Sequence, residues 1–586
     1  TVTFIGSSKA NTILNFASTA NADRHTVLFT GGARFITFRD MTIRGNGNFS
    51  GDYAYPVIIN GGARSIRIAN CNILIVGANS LSGSTFYIPV LLGGNSTSYS
   101  SGSRVDSVEI DTCFISRGYF GIVNYGVSGN LGLNNKFRGN MLSEQYYYGM
   151  YLINNGNLTI ENNSFDLQTA TTGITPIYVS TATATAIYPH RIIGNIVSKF
   201  GSYAMYFSGT TNVAGSKGLF ANNVVGGNIL NTTSYGVYMS SPTNFMFQHN
   251  TFNMNNAGST SNIYAGLYIT GGSGNSMFNN IFARTATGLG LGLYVTTAGV
   301  CDSVDYNLFF KTDTTNGILY LGTTYFPATF KGGASFNTNS VNSDPVFFGG
   351  TNLNIKNPCN NGIPLPLVTT DVTGFVRSAT PDMGAYEMVS VGNNLGIERV
   401  FAPTPTSFVM GSNDVWALVR NYGTNSVSSY TVGYTNNNGT PVTQVVTTAL
   451  GVCDTASVYF TGSSQVTLTS ANALKVFTAS PNSSIDSLPT NDTLQVDLYA
   501  PLSGNYTIGV GGNFTTFGAA VDALKGSGVA GHVNFTVNPG TYLERIVLNG
   551  VIQGLHDTAR VTFRGVNKNT VIIETNAGSA PAVGIF

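Results

Sequence analysis

Apolar and polar residues alternate over short stretches along the first two thirds of the chain, with Gly, Asn, Ser and Thr between the stretches. A six-residue pattern recurs there: apolar, any residue, small or polar, Asn or Cys, any residue, apolar. Its copies are 68–73, 110–115, 137–142, 160–165, 192–197, 220–225, 247–252, 277–282 and 304–309. An alternation with a period of two residues predicts strands, and the recurrence predicts one structural coil per copy.

A second pattern lies between these copies and ends in aliphatic–Tyr–aliphatic. It occurs as YGMYL, PIYV, YAMYF, YGVYM, AGLYI and LGLYV, within residues 148–295. Each coil therefore contains at least two short strands separated by turn residues. No segment here keeps a period of 3.6 residues, which disfavours helical repeats. We predict a parallel β-solenoid in which equivalent strands stack about 4.8 Å apart.

Asn occupies the fourth position of the six-residue pattern in most copies. Asn tolerates left-handed backbone angles at a turn, and its amide can bond to the backbone and to the Asn one coil further on. We therefore predict an inward ladder of stacked asparagines. Its members are Asn140, Asn163, Asn195, Asn223, Asn250, Asn280 and Asn307.

Tyrosines recur in the second pattern once per coil. In residues 149–152, alternation places Met150 and Leu152 on one face and Tyr151 on the other. If the aliphatic pair is buried, the tyrosine points outward and could stack flat against sugar rings. The alternative is that the rings stack on one another and stabilise the sheet. The predicted ligand-binding column is Tyr151, Tyr178, Tyr206, Tyr238, Tyr268 and Tyr294.

The amino-acid composition excludes several classes of protein. Charged residues make up 9% of the chain, whereas about 25% is typical of globular proteins. The formal net charge is +1, so whole-chain electrostatics favour neither nucleic acid nor an anionic membrane. A hydrophobic content of 42% with 11% aromatics excludes ordinary disorder. No apolar run is long enough to predict a membrane-spanning helix.

Carboxylates are unevenly distributed. Residues 168–300 contain no Asp or Glu, which excludes a carboxylate-dependent active site in the middle of the solenoid unless a loop from elsewhere reaches it. The nearest approach to a cluster is Asp106, Glu109, Asp111, Glu144 and Glu161. Glu109 and Asp111 share one strand face, so a small cation or sugar site is one interpretation and solvated carboxylates are the other.

Motifs for metals and cofactors are absent from the sequence. There is no H-E-x-x-H and no C-x-x-C, and the five cysteines are too scattered for a zinc site. We predict no catalytic residues, no metal and no cofactor, and therefore a protein that is not an enzyme.

The coil pattern resembles the right-handed parallel β-helix of the pectate-lyase type, with its inward asparagine ladder. The order SDPVF, NIKNPCNNG, DVTGFVR and PDMGAYE in residues 343–387 resembles the closing coils of bacterial secreted β-helix proteins. We therefore predict a right-handed parallel β-helix over residues 1–389.

Residues 390–500 contain about seven alternating runs separated by turn signals, which predicts an antiparallel β-sandwich. VRNYGTNSVSSYTVGYTNNNG (419–439) resembles immunoglobulin-like modules of bacterial cell-surface proteins. In residues 501–586 a short helix candidate precedes further strands, an order that resembles the N-terminal cap and first coils of β-helix proteins, including pectin methylesterases. The predicted fold class is all-β: a β-helix, an immunoglobulin-like sandwich and the capped start of a second β-helix.

One segment matches another across nearly the whole chain. VTFRGVNKNTVIIET (561–575) matches VTFIGSSKANTILNF (2–16) at an offset of 559 residues. We predict either a tandem array or head-to-tail association of copies, so the expected partners are copies of the chain itself. Six Asp-Ser/Thr steps also resemble the O-glycosylation sites of secreted Bacteroidota proteins: Asp106, Asp302, Asp454, Asp486, Asp492 and Asp557.

The resemblances together imply an extracellular structural or adhesive protein of the cell surface, similar to the giant repetitive adhesins of Bacteroidota and built as a stiff fibre. Glycans or surfaces are further expected partners, and nucleic acid is not. The alternative is a carbohydrate-binding or polysaccharide-degrading β-helix protein: a lyase, hydrolase or esterase.

Overall fold

The computed structural model of the chain describes most of its residues: 1–17, 23–46, 54–77, 83–168, 173–256, 264–286, 289–297, 299–312, 318–320, 323–325, 337–355, 359–388, 391–404, 409–544, 546–548, 552, 554–574 and 583–585. The chain divides into two compact units, Thr1–Met388 and Val389–Phe586.

The first unit is a parallel β-helix with three sheets, and the chain visits sheets 1, 2 and 3 in turn in each coil. Sheet 1 has 11 strands: Val2–Ile5, Arg34–Arg39, Arg64–Ala69, Glu109–Asp111, Lys136–Arg138, Thr159–Glu161, Arg191–Ile193, Gly218–Ala221, Phe245–Gln248, Asn275–Phe278 and Cys301–Asp305. Sheet 2 has 12 strands: Ile13–Phe16, Thr42–Asn46, Asn72–Val76, Phe114–Ser116, Met141–Ser143, Ser164–Asp166, Ile196–Phe200, Val224–Ile229, Thr251–Asn253, Ile281–Arg284, Leu308–Lys311 and Val341–Asn342.

Sheet 3 has 13 strands: His25–Phe29, Tyr55–Ile59, Val90–Leu92, Phe120–Tyr125, Gly132–Leu133, Tyr148–Gly156, Thr175–Thr183, Tyr203–Thr211, Tyr235–Ser240, Ala265–Thr270, Leu291–Val295, Ile318–Tyr320 and Thr323–Tyr325. The last two pair antiparallel, and a separate hairpin joins Phe347–Gly349 to Asn352–Ile355.

The second unit begins with antiparallel sheets. Three strands pair as Leu395–Ala402, Val415–Asn421 and Thr455–Phe460, two as Gly411–Asn413 and Val466–Leu468, and four as Val442–Val446, Tyr430–Asn436, Ala471–Ala479 and Thr493–Tyr499. Two short 3-10 turns, Gly462–Ser464 and Pro481–Ser483, connect them. The predicted fold class is thus confirmed as all-β, with a parallel β-helix followed by antiparallel sheets.

The rest of the second unit returns to parallel pairing. Its strands pair as Leu502–Ile508, Val529–Val537 and Val561–Gly565, as Gly540–Leu543 and Val571–Glu574, and as Ile546–Leu548 and Val583–Ile585. The helix Phe517–Ser527 precedes the second of these strands. Thr516 caps it by accepting from the Ala519 N–H, and Phe517 and Leu524 are buried on its inner face.

The first and last positions of the six-residue pattern form the core of the β-helix. Phe137, Ile160 and Ile192 are register partners in neighbouring strands of sheet 1, and all are buried. Leu142 and Phe165 are the matching pair in sheet 2. Each pattern copy therefore places one apolar side chain from each of two sheets into a continuous column, which removes apolar area from water in every coil.

The fourth-position asparagines form a buried ladder between sheets 1 and 2. Asn223 donates its Nδ2–H groups to the Ile192 carbonyl (2.9 Å) and to Asn250 Oδ1 (3.0 Å). Its own Oδ1 accepts from the backbone N–H and the side chain of Asn195 (3.1 and 3.0 Å). The same pattern links Asn140, Asn163, Asn195, Asn223, Asn250, Asn280 and Asn307.

One detail of the ladder differs from the expectation. The left-handed residue of each turn is the one before the ladder asparagine: Asn162, Asn222, His249 and Asn279 have φ of 56°, 52°, 53° and 58°. The ladder asparagine stays available for hydrogen bonding because its neighbour makes the turn. Where the neighbour is Gly139 or Gly194, glycine meets the same requirement at no steric cost.

Residues 359–388, the return segment, fold back over the turns between sheets 1 and 2. Arg377 donates to Asn222 Oδ1 (2.8 Å), and the backbone N–H of Ala385 donates to Thr251 Oγ1 (2.9 Å). The Asp382 carbonyl lies 3.1 Å from His249 Nδ1. The return segment therefore delivers acidic residues to the part of the helix that has none of its own, which is the exception that the sequence left open.

The acids of the return segment are buried and hydrogen-bonded. Arg377 and Glu387 form an ion pair at 3.1 Å with side chains only 3% and 2% exposed. Asp371 accepts from the backbone N–H groups of Thr373, Phe375 and Glu387. A polymer could not reach these groups without opening the segment, so we interpret the cluster as a structural clasp.

We expect the clasp to make stability depend on pH. Burial raises the pKa of Asp382 from 3.8 to about 8, so the folded state holds a proton that the unfolded chain has lost. The free energy of unfolding therefore falls as the pH rises from 3.8 to about 8, and the fall stops above about pH 8. Burial lowers the pKa of His190 and His249 below 6.5, which adds an opposite dependence only below pH 6.5.

Between pH 6.5 and 8 the expected loss is about 1–2 kcal/mol, measured by urea unfolding followed by far-ultraviolet circular dichroism. Asp382→Asn, which imitates the protonated acid, should reduce this loss to the smaller contribution of Asp492, whose pKa burial raises to about 7. An equal fall in the wild type and the variant would contradict the assignment to Asp382.

Candidate functional site

Two outward columns of sheet 1 carry charged residues in register over successive strands. One column runs through Arg67, Glu109, Lys136, Thr159 and Arg191. The other runs through Ala69, Asp111, Arg138, Glu161 and Ile193. Because these positions alternate with the buried core positions, they point away from the core. Basic and acidic strands follow one another along the helix.

Ion pairs connect the neighbouring strands of this charged face. Arg67 contacts Asp111 at 2.6 Å, and Glu109 contacts Lys136 at 2.9 Å and Arg138 at 3.3 Å. Arg191 contacts Glu161 at 2.7 Å across the adjacent strands. Each carboxylate is thus engaged by at least one cation, which fixes the positions of the side chains.

The cations are the exposed partners of these pairs. The side chains of Arg67 and Arg191 are 50% exposed, whereas those of Asp111 and Glu161 are 16% exposed. Four basic and three acidic side chains give the face a formal charge of +1, and the positive groups are the ones that solvent meets first. A ligand approaching this face therefore encounters cations before carboxylates.

An open cleft of about 690 Å³ lies on this face. Its floor includes Lys136, Arg138, Glu161 and Arg191, and one wall is formed by 187–189. Its lining is Ser107, Asn134, Lys136, Arg138, Asn157, Thr159, Glu161, Ile187, Tyr188, Pro189 and Arg191. The side chains of Ile187 and Tyr188 are exposed (79% and 56%).

The wall is anchored to the helix at several points. The Thr185 N–H donates to Asn157 Oδ1 (2.8 Å), and Ser216 Oγ donates to the Ala186 carbonyl (2.6 Å). His190, directly after the wall, is buried and accepts the Leu158 N–H at Nδ1 (3.0 Å). Burial lowers the pKa of His190 to about 4, so this imidazole is neutral at physiological pH and serves as a support below the cleft.

The five predicted acids separate into two groups. Glu109, Asp111 and Glu161 lie together on the charged face, as the spacing allows. Asp106 instead pairs with Arg104 (2.9 Å), and Glu144 pairs with Arg117 (3.0 Å) beyond sheet 2. Across the described ranges, no group of three or more His, Cys, Asp or Glu side chains is placed to hold a metal ion.

Sequence reasoning missed Lys136, Arg138 and Tyr188 as site residues. The strand register could have indicated the first two, because both flank the core residue Phe137 and must therefore face outward. Tyr188 lies in a connection with no repeat in the other coils. No local pattern indicates that its ring forms a wall of the cleft.

The predicted tyrosine column lies on sheet 3, on the outward face. Tyr151, Tyr178, Tyr206, Tyr238, Tyr268 and Tyr294 are register partners in successive strands. Their ring centroids are 5.2, 4.7, 5.3, 5.0 and 4.5 Å apart, with interplanar angles of 28° or less. All six are half-buried.

This stacking changes how the column can meet a ligand. Each ring between Tyr151 and Tyr294 has both faces covered by its neighbours, so its edge and hydroxyl are what remain available. Burial, with a contribution from the neighbouring tyrosines, raises the pKa of Tyr151 to about 12. The Tyr151 hydroxyl is therefore a neutral donor and acceptor at physiological pH.

Comparison with known proteins gives similarity at the level of fold. No family model matches the chain, and no curated protein matches its sequence. Six solved chains match in structure. One is the A-module of the Azotobacter vinelandii mannuronan C-5 epimerase AlgE6, at 14% identity and a TM-score of 0.37, covering 59% of this chain and 84% of that one.

Two others are phage proteins. Tailspike protein 3 of bacteriophage CBA120 matches at 12% identity and a TM-score of 0.29, covering 54% of this chain and 50% of that one. Tailspike gp49 of the Acinetobacter baumannii bacteriophage Fri1, a capsular polysaccharide depolymerase, matches at 10% identity and a TM-score of 0.20, covering 83% and 72%. Similarities this distant concern the fold alone and carry no argument about the chain's own activity.

The prediction that the chain is not an enzyme, which rested on the missing motifs and the carboxylate-free residues 168–300, is wrong. An epimerase and a depolymerase are among the solved structures that match the chain, so the fold gives no ground for excluding catalysis. The acid-poor middle gives none either, because the charged face carries carboxylates of its own. The adhesive filament, the immunoglobulin-like module and the Bacteroidota resemblance stay predictions.

Proposed function

We propose that the protein binds an acidic polysaccharide in the sheet 1 cleft and processes it there. The observation that carries the proposal is the arrangement of the ion pairs, in which the cations are exposed and the carboxylates lie beneath them. Lys136, Arg138 and Arg191 would hold carboxylate groups of the polymer through charge-assisted hydrogen bonds. The cleft is open to solvent, and Tyr188 offers an exposed ring to a sugar face.

The groups in the cleft support removal of a proton next to a carboxylate. Cations that neutralise a sugar carboxylate make the adjacent C–H more acidic, and Glu161 is the carboxylate that lines the cleft. Hydrolysis would need two carboxyl groups about 5–9.5 Å apart. Among the described residues that line the cleft, Glu161 is the only carboxylate. Elimination or epimerisation of a uronic acid polymer therefore fits better.

The proposed place of action is outside a cell, where acidic polysaccharides are found as polymers. Nowhere in the described part of the chain is there a helix with the length and hydropathy of a membrane span. No cofactor is part of the proposal.

The test is binding of polygalacturonate, alginate and hyaluronan by calorimetry, with dextran as the uncharged reference. We expect at least one acidic polymer to bind more tightly than dextran and to lose affinity as salt rises. Lys136→Glu together with Arg138→Glu should weaken binding by about 100-fold, or about 2.7 kcal/mol. Glu161→Gln should still bind the polymer but should no longer form product. Chromatography of the polymer after incubation with the protein measures product formation.

The matched control is Arg564→Glu, a charge reversal at an exposed position of the second unit. It should leave affinity unchanged. Failure of all three acidic polymers to bind, or equal affinities in the double variant and the control, would contradict the proposal.

A further inference from the structure

The tyrosine face of sheet 3 is chemically unlike the charged face of sheet 1. The six strands that carry the column contain no Asp, Glu, Lys or Arg. In the first three of these coils, the sheet 1 strands Lys136–Arg138, Thr159–Glu161 and Arg191–Ile193 supply charged residues of the cleft. The same helix thus presents a charged surface and an uncharged aromatic one.

A second column of hydroxyls runs beside the tyrosines. Ser180, Ser208, Ser240 and Thr270 follow Tyr178, Tyr206, Tyr238 and Tyr268 by two residues, and they too are register partners in successive strands. Residues two apart on a strand share a face, so the serine and threonine hydroxyls lie outward beside the phenols. All four side chains are half-buried.

The hydroxyls of both columns have unused hydrogen-bonding capacity. Within the described ranges, none of these eight side chains forms a hydrogen bond with another residue, whereas the buried Tyr55 hydroxyl donates to the Thr85 carbonyl. A polar group without a protein partner is stable at a surface because water or a ligand can satisfy it. The two columns therefore form a regular array of open donors and acceptors.

We propose that this face binds a neutral polysaccharide chain lying along the helix axis, with one sugar unit per coil. The ring centroids repeat at 4.7, 5.3 and 5.0 Å from Tyr178 to Tyr268, close to the rise of one pyranose unit in an extended chain. The stacked rings leave their edges outward, so recognition rests on the two columns of hydroxyls and on sugar C–H contacts with the ring edges.

The lack of charged side chains in these strands favours an uncharged ligand. A sugar carboxylate on this face would lose water without gaining a cation, which costs free energy. A neutral polymer loses only hydroxyl–water bonds, and the phenol and serine hydroxyls replace them. Because the array extends over at least four strands, affinity should rise with chain length. The sheet 1 cleft plays no part in this inference.

The experiment measures binding of cellohexaose, laminarihexaose and mannohexaose, with the matching disaccharides, by calorimetry or saturation-transfer NMR. We expect one hexaose to bind about tenfold or more tightly than its disaccharide. Combining Tyr178→Phe, Tyr206→Phe and Tyr238→Phe should weaken hexaose binding by about tenfold or more while the melting temperature stays unchanged. Phenylalanine keeps the stacked rings and removes only the hydroxyls.

Tyr459→Phe, an exposed tyrosine of the second unit, is the control and should not change affinity. Ser208→Ala with Ser240→Ala should weaken binding by itself. Absence of binding to all three hexaoses, or unchanged affinity in the triple variant, would overturn the inference. Self-association that is lost in the triple variant, without oligosaccharide binding, would instead make this face an interface between copies and would also overturn it.

Discussion

Replacing Arg377 with Ala should reduce the free energy of unfolding of the β-helix by about 3–5 kcal/mol, because it leaves a buried carboxylate without its partner. Arg377 donates to Glu387 Oε2 (3.1 Å), to Asn222 Oδ1 (2.8 Å) and to the Gly384 carbonyl (3.0 Å). The same side chain therefore joins two parts of the return segment to the helix. Urea unfolding followed by far-ultraviolet circular dichroism measures the change.

Two comparisons make this prediction specific. Arg34→Ala removes an exposed arginine of the same unit and should change stability by less than about 0.5 kcal/mol. Arg377→Met combined with Glu387→Leu removes both charges and should recover part of the loss, since apolar pairs of similar volume often replace a buried ion pair without cost. An Arg377→Ala variant as stable as Arg34→Ala would show that the clasp contributes nothing.

Replacing Asn223 with Ala should reduce the free energy of unfolding by about 2–4 kcal/mol. The substitution removes the partners of the Asn195 N–H and of the Ile192 carbonyl. Each buried backbone group left without a hydrogen bond costs about 1–3 kcal/mol. The coils on both sides of Asn223 should lose stability, so hydrogen exchange of the Asn195 and Asn223 amides should accelerate more than exchange near Asn140.

Asn228→Ala is the matched control, because Asn228 is exposed in the next strand of the same coil. Its effect should stay below about 0.5 kcal/mol. If both variants unfold at the same urea concentration, the ladder does not stabilise the helix and its regular geometry has another cause.

The two losses should be nearly additive if the ladder and the clasp act separately. They meet at one turn, however, since Arg377 binds Asn222, the neighbour of Asn223. The double variant Arg377→Ala with Asn223→Ala therefore measures their coupling, and residues in one hydrogen-bond network typically couple by about 0.5–3 kcal/mol.

The charged cleft illustrates how far the register of a repeat predicts a site. Glu109, Asp111 and Glu161 could be placed on one face from their offsets to core residues. Their cations lie in other coils, and the ion pairs join residues 27 to 44 positions apart. Which cation meets which carboxylate depends on side-chain packing across strands, and the sequence does not encode this as a pattern.

The sequence by itself determined the β-helix, the ladder positions and the outward tyrosines. It could do so because each coil meets nearly the same neighbours as the coil before it, so a local period of two residues and one turn motif specify the environment of every equivalent position. The tertiary structure alone decided that the return segment supplies acids to the middle of the helix, through contacts between residues 133 and 155 positions apart. It also decided that the tyrosine rings cover one another's faces. Such contacts occur once in the chain or depend on ring orientation, and no repeated pattern specifies either of them.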